Sequence, residues 1–426
     1  MLTLTIIPGI LSAIMAPKIG ALSDRYGRKK FMTLSSTGLF LSEIVTILVA
    51  DFPDTLHYKW LIVGSVFDGL SGSFTVGMAL THAYAADCTA PPKRAVAFGY
   101  FHACLFTGIA LGPLLAAFLI RKTGEIITVF YVALGVHAFF ILYVLFVMPE
   151  SLTKKRQQLA RMKRVSVLEA LSTSGGNTIM GVDMWAIQKL NILEPLKILW
   201  PTGPGTSTRL RMNLILLAAV DTIIFGIAMG AVTVVVLYIG FQFGWDSAQS
   251  SEFISLVNIV RVSCLVILLP LLNYLVRTRR ANRERRESGF ATAERNSGSD
   301  TLDLSIIRFA IFFELIGFTG YVVSRTGSLF VLSGILAAVG GLGSPTLQSA
   351  LTKHVPHDKI GQVLGATGLL HALARVVAPL FFNLLYAATV DTLPQTVFVV
   401  LTACFGVAFI VSWFIKPHGM PLCPCT

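Results

Sequence analysis

The densest chemistry in the chain lies at Gly20-Ala21-Leu22-Ser23-Asp24-Arg25-Tyr26-Gly27-Arg28-Lys29. One apolar run ends at its start and another begins just after it. Gly27 permits a tight turn. Asp24 and Arg28 can form charge-assisted hydrogen bonds to neighbouring helix ends. Such a clasp can hold one conformation and release in another. A plainer reading is a basic turn that sets membrane orientation. That explains Arg25, Arg28, Lys29 and Lys30, but not the spaced glycines with an acid. A second group of candidates lies inside apolar runs: Asp68, His102, Asp221, Arg261, His371 and Arg375. Ionisable side chains at membrane depth are costly and tend to be functional. Asp68, Asp221 and Arg261 each sit about nine residues from a run end, roughly 13 Å at the helical rise. A buried acid can take up and release a proton, so Asp68 or Asp221 is expected to carry it. A purely structural pair, such as Asp221 with Arg261, is the plainer alternative.

The elements that must position these groups are membrane helices. Of 426 residues, 54% are hydrophobic and 13% charged, and mean hydropathy is +0.73. A soluble domain carries about 25% charge, so an ordinary soluble enzyme is excluded. Disorder is excluded by 29 Phe and long aliphatic runs. Eleven runs read as helices: 2–19, 31–50, 60–85, 96–120, 126–148, 212–240, 252–276, 305–323, 327–350, 361–388 and 394–415. Each approaches the length that crosses ~30 Å of hydrocarbon. The first is not a typical signal peptide, because its first charge is Lys18.

Charge alternates across these runs. With Lys18 counted in the first gap, 27 of the 34 Lys and Arg fall in alternate gaps and the C-terminal tail, against four in the others. The rich side is then cytoplasmic, and so is the C-terminus. The net charge of +12 faces anionic lipid and implies no nucleic-acid partner. Two long connections lie on that side. Residues 150–211 open with Lys154-Lys155-Arg156, and their stretch Ile192–Trp200 can lie on the membrane as a short helix. Residues 277–304 are basic and then Ser/Gly-rich, and are expected to be disordered. Cys104, Cys264 and Cys404 lie within apolar runs, Cys88 ends one, and Cys423 and Cys425 are in the tail; none suggests a disulfide framework.

A weak internal repeat is visible. Gly99 precedes Pro113 by 14 residues, and Gly365 precedes Pro379 by the same 14. The 150–211 connection falls between them, which suggests two related bundles. Gly108 and Gly112, one turn apart, would let another helix approach closely, and Pro113 removes a backbone hydrogen bond. Ordinary small-residue packing is the alternative.

The 20–29 run resembles the loop signature of the major facilitator superfamily, Gly-x-x-x-Asp-Arg-x-Gly-Arg-Arg/Lys. Asp87, Arg94 and Gly99 are similar to that family's acid-then-basic turn after its fourth helix, which implies a pairing of Asp87 with Arg28. Gly108-Ile-Ala-Leu-Gly112-Pro113 resembles its antiporter signature, with Ala116 and Ala117 in place of the last two glycines. The resemblance spans the chain and is nearest to tetracycline-exporter-like members. It implies an all-α membrane protein with about eleven spans in two pseudo-repeated bundles, 1–149 and 212–416. Between them lies the 150–211 loop; 277–304 is a second cytoplasmic loop and 417–426 the tail. It places Asp68, His102, Asp221, Arg261, His371 and Arg375 on helices lining a central cavity. It leaves Glu43 and Glu314 peripheral, with structural roles, and His82 and His137 as packing or interface residues. An arginine expected midway along the family's fourth helix is replaced by Asp68-Gly69-Leu70-Ser71-Gly72.

In that family the loop signature follows the second helix, so the resemblance implies that the first helix is absent here. The expected consequence is a chain unstable or inactive in transport. Runs 2–19 and 96–120 would be exposed, including His102, and Gly108 and Gly112 would lack partners. The function implied is proton-coupled export of a small organic solute by alternating access, in a plasma or vacuolar membrane, by a monomer. Proton-coupled nutrient import and a non-transporting membrane sensor or truncated transporter are the alternatives. No nucleophile–base pair, metal-ligand spacing or Gly-x-x-x-x-Gly-Lys is visible, so neither an enzyme nor a metal, cofactor or ATP is expected.

Overall fold

In the computed structural model, residues 2–173, 194–202, 206–279 and 298–417 are described. Among them are eleven helical spans long and apolar enough to cross a membrane, and no strand. A helix pairs its own backbone groups, as lipid requires. The spans are built from α1 (Leu2–Tyr26), α2 (Arg28–Asp51), α3 (Leu61–Leu70) with α4 (Ser73–Cys88), α5 (Arg94–Thr123), α6 (Ile127–Phe146), α8 (Thr208–Phe243), α9 (Ser247–Ser263), α10 (Thr301–Val323), α11 (Gly327–Val339) with α12 (Gly343–Lys353), α13 (Ile360–Thr389) and α14 (Thr396–Trp413). The helix α7 (Lys154–Thr173) is polar and is not a span. Beyond Ser263 the α9 span runs on to Arg277 through π-helical turns at Cys264–Leu268 and Tyr274–Thr278.

Three boundaries differ from the sequence reading. The first helix does not end near 19 but continues to Tyr26, so Asp24 is helical and the turn is Gly27 alone. Gly27 has φ +101°, and a Cβ there would meet the Glu150 carboxylate, so both conformation and space demand glycine. The third run is interrupted. Gly72 and Ser73 have φ +93° and +55°, which the apolar pattern does not reveal. The 150–211 connection holds the 20-residue helix α7 where no helix was expected. Of the expected 192–200 helix, Glu194–Leu199 forms a 3₁₀ segment, and Ile192 lies outside the described residues. The basic loop at 280–297 and the tail from 418, with Cys423 and Cys425, also lie outside them.

By contacts the chain groups into two units. The first is Met1–Cys88, Leu134–Gly203 and Pro356–Leu369; its core includes Ala16, Ile19, Val76, Leu80 and Val144. The second is Thr89–Ala133, Pro204–Val355 and Leu370–Thr426; one of its core clusters joins Ala103, Leu265, Leu269, Ile306, Ala310 and Leu342. Helix starts carry the side chains that satisfy free N–H groups. Asp246 and Gln249 form a capping box on α9, and Asp300 and Asp303 form one on α10.

Candidate functional site

In the first unit, the groups around Gly27 form one buried ionic cluster. Asp24 lies in the last turn of α1 and Arg28 begins α2, so the turn brings them together: Asp24 Oδ1 is 2.6 Å from Arg28 Nη2. Arg28 Nε donates to Asp87 Oδ2 in the last turn of α4 at 2.9 Å, the pairing the resemblance implies. Arg28 Nη1 donates to Ser23 Oγ at 2.6 Å. Arg28 is 0% exposed, and so is the Asp87 side chain. Asp24 also accepts from the backbone N–H of Gly361 at 3.0 Å and of Gln362 at 2.9 Å. Those groups open α13, where free N–H groups and the helix dipole favour an anion. Close packing allows this. Gly20 lies against Gly361 and Gly365, and a Cβ at Gly361 would strike Arg28, Asp24 and the Gly20 carbonyl. Glu150 completes the cluster by accepting from the Arg28 and Leu152 amides at 2.8 and 3.2 Å.

The second unit holds a counterpart that sequence reasoning missed. Arg277 ends the α9 span, Asp303 lies in the first turn of α10, and Lys353 ends α12. Arg277 Nη2 donates to Asp303 Oδ1 at 2.7 Å, and Lys353 Nζ to Asp303 Oδ2 at 2.6 Å. Arg277 Nε also donates to Asp300 Oδ2 at 2.8 Å, and Nη1 to the Asn273 Oδ1 and Pro92 carbonyl. Burial pushes the Asp300 carboxyl up, but Arg277 outweighs it and holds the group well below the usual carboxylate range. Spans one, two and three carry acid, base, acid at these places; spans seven, eight and nine carry base, acid, base. The sequence places Arg277 at the start of a basic loop expected to be disordered, whereas it is helical and paired. The capping pair Asp300 and Asp303 was the available signal.

Within the second unit's spans, Asp221 of α8 faces His371 of α13, with Asp221 Oδ2 2.9 Å from His371 Nε2. Asp221 is 1% exposed and His371 7%. Phe225, one turn beyond Asp221, stacks on the His371 ring at 4.1 Å and 8°. The structural pair considered for Asp221 is therefore replaced: its partner is His371, not Arg261. Arg261 lies over the Phe106 ring at 4.8 Å and packs on Gly341, while Glu314 packs on the adjacent Gly340. Glu314 is buried. His102 is buried rather than exposed; its Nδ1 lies 3.0 Å from the Phe98 carbonyl and Nε2 3.4 Å from Ser344 Oγ. Arg375 is half-buried on α13.

The remaining candidates are dispersed. Asp68 belongs to the first unit. Its carboxylate accepts from Ser73 Oγ at 3.1 Å, across the α3–α4 break. Arg25 is half-buried. Arg94 is fully buried at the start of α5, with Nη1 3.4 Å from the Thr352 carbonyl. Gly108 and Gly112, expected to seat a helix, have no atom within 4 Å of a Cβ built on either; Pro113 lies inside the continuous α5. His137 of α6 pairs with Glu43 of α2 at 2.9 Å. Among the described residues no cluster of His, Cys, Asp or Glu could hold a metal.

A sequence profile described as Major Facilitator Superfamily matches residues 1–287. The MFS-type transporter avaJ of Aspergillus versicolor is 29% identical over 96% of this chain and 75% of its own length. The class C tetracycline resistance protein of Escherichia coli is 23% identical, covering 90% of this chain and 79% of that protein. Among solved structures, the human organic anion transporter MFSD10 (TETRAN) matches with a TM-score of 0.69 at 18% identity, over 96% of this chain and 83% of that one.

Proposed function

Starting from a chain that belongs to the major facilitator superfamily, and hence to a family of secondary solute transporters, we propose export of a small organic solute in exchange for protons. The observation that carries the proton part is the buried Asp221–His371 pair at 2.9 Å. A carboxylate and an imidazole held this close can share one proton between them. Its uptake or release changes the net charge of a buried site by one, a large electrostatic change in a low dielectric. Asp221 is the preferred carrier over Asp68, whose bond to Ser73 serves the α3–α4 break.

The Asp24–Arg28–Asp87 cluster supports a cycle of alternating access. In this reading bundles 1–149 and 212–416 rock about a midplane site. The Asp24–Arg28–Asp87 cluster holds one end closed and must open during each turnover. Arg261, His102 and Arg375 are the further groups proposed to face solute. Likeness to the tetracycline resistance protein and the Gly108-to-Pro113 motif support export over import.

Reconstituted vesicles test this. A panel of labelled small organic solutes, beginning with tetracycline, is loaded for counterflow. The expected result is exchange of at least one solute, and movement of that solute against an imposed proton gradient. Counterflow without any response to the gradient would leave transport standing and remove the proton. Movement with the proton gradient rather than against it would reverse the direction to import.

A further inference from the structure

The geometry points to a binding site for the phosphate of an anionic phospholipid headgroup in a cleft of about 720 Å³ beside the Gly27 turn. The cleft lies between the α1–α2 turn, the end of α6 and the start of α7; Lys29, Lys30 and Lys154 line it. None of the three forms an ion pair among the described residues. Glu150 also lines the cleft, but its oxygens are taken by backbone donors. Oε1 accepts from the Arg28 and Leu152 amides and Oε2 from the Lys29 amide at 3.2 Å. One carboxylate against three ammonium groups leaves the cleft positive. Lysine binds phosphate as a point charge without a fixed geometry.

Position selects a lipid over a soluble phosphate. Tyr26 ends the first span and Leu145 is one residue from the end of the fifth, so the cleft opens where spans leave the hydrocarbon. One turn further into the same two spans, exposed apolar side chains include Leu34 on α2 and Leu142 on α6. Acyl chains can run along that surface while the phosphate meets the lysines. Basic pockets between spans at the bilayer surface hold anionic headgroups in this way. Arg161 of α7 lies over the Tyr26 ring at 5.7 Å, which keeps α7 beside the turn. A bound headgroup would join Lys29 and Lys30 of α2 to Lys154 of α7, and so brace the turn that carries Arg28.

The test uses the full chain in detergent and native mass spectrometry. Dioleoyl phosphatidylglycerol and dioleoyl phosphatidylcholine are titrated separately. Preferential retention of phosphatidylglycerol is expected, falling about fivefold for each lysine removed in Lys29→Gln, Lys30→Gln and the triple variant with Lys154→Gln. The single Lys154→Gln, outside the turn, should show its own fivefold loss even if the triple variant folds poorly. Lys155→Gln/Arg156→Gln, on exposed residues that do not line the cleft, should change retention less than twofold. Equal retention of the two lipids, or an equal loss in the control variant, would overturn the site. Displacement of the lipid by millimolar inorganic phosphate would overturn the lipid assignment in favour of a soluble phosphate.

Discussion

The two ionic clusters occupy matching places on spans one to three and seven to nine, yet they are wired differently. In the first, among the described residues, one cation, Arg28, stands between two buried acids; the only other partners are neutral donors, the α13 amides on Asp24 and Ser151 on Asp87. In the second, Asp303 is held by two cations, and Arg277 holds a second acid, Asp300, as well as backbone and amide oxygens. Equal positions therefore do not mean equal consequences. The first cluster has one keystone; the second shares its charges over a network.

That contrast is broken most sharply at Arg28. Arg28→Ala should strand Asp24 and Asp87 in the interior and cost on the order of 3–5 kcal/mol, read as loss of folded protein in thermal unfolding. A milder change, Asp24→Asn, should slow counterflow while leaving solute affinity within twofold. A changed affinity with an intact cycle rate would contradict a clasp role. Gly361→Ala should come next, at roughly 1–3 kcal/mol, because its Cβ meets Arg28, Asp24 and the Gly20 carbonyl.

In the second cluster, Lys353→Met should cost roughly 1–2 kcal/mol, since Arg277 still holds Asp303. A loss as large as that of Arg28→Ala would erase the distinction. Beside this cluster His354 lies just past the span. Burial pushes its imidazole down to about 4 from the ordinary 6.5. Its Nδ1 is 2.8 Å from the Ala350 carbonyl, and its Nε2 is 3.4 Å from Asn213 Nδ2. The folded value is the lower one, so the unfolded chain binds the proton first. Stability should be full above pH 6.5 and fall as pH drops towards 4. His354→Gln should flatten melting temperature against pH across that window. The smallest effects are expected at Gly108→Ala and Gly112→Ala. Both sites are open, and alanine favours a helix by about 0.5–1 kcal/mol, so melting should be unchanged or slightly raised.

Most of the fold could be read from composition. The eleven apolar runs each correspond to a span, because lipid allows a lone segment little else than a helix. Their ends were less legible. The α1 end carries Asp24 and Arg25, which look like a loop by hydropathy but are helical because Arg28 and the α13 amides compensate Asp24. The Asp24–Arg28–Asp87 pairing came from a motif. Arg277, Asp303 and Lys353 carry no such spacing, being 26 and 50 residues apart, and only folding brings them together. His371 and Asp221 were visible as charges in apolar runs, but their partnership was not, since nothing in a single sequence sets the facing registers of α8 and α13.

In the proposed mechanism Asp221, with His371, carries the proton that drives solute movement. The most direct measurement compares the wild-type chain with Asp221→Asn in vesicles, recording counterflow and pH-gradient-driven flux of the same solute. Retained counterflow with loss of gradient-driven flux is the expected result for Asp221→Asn, and Asp68→Asn should keep both. Gradient-driven flux at the wild-type rate in Asp221→Asn would contradict the account.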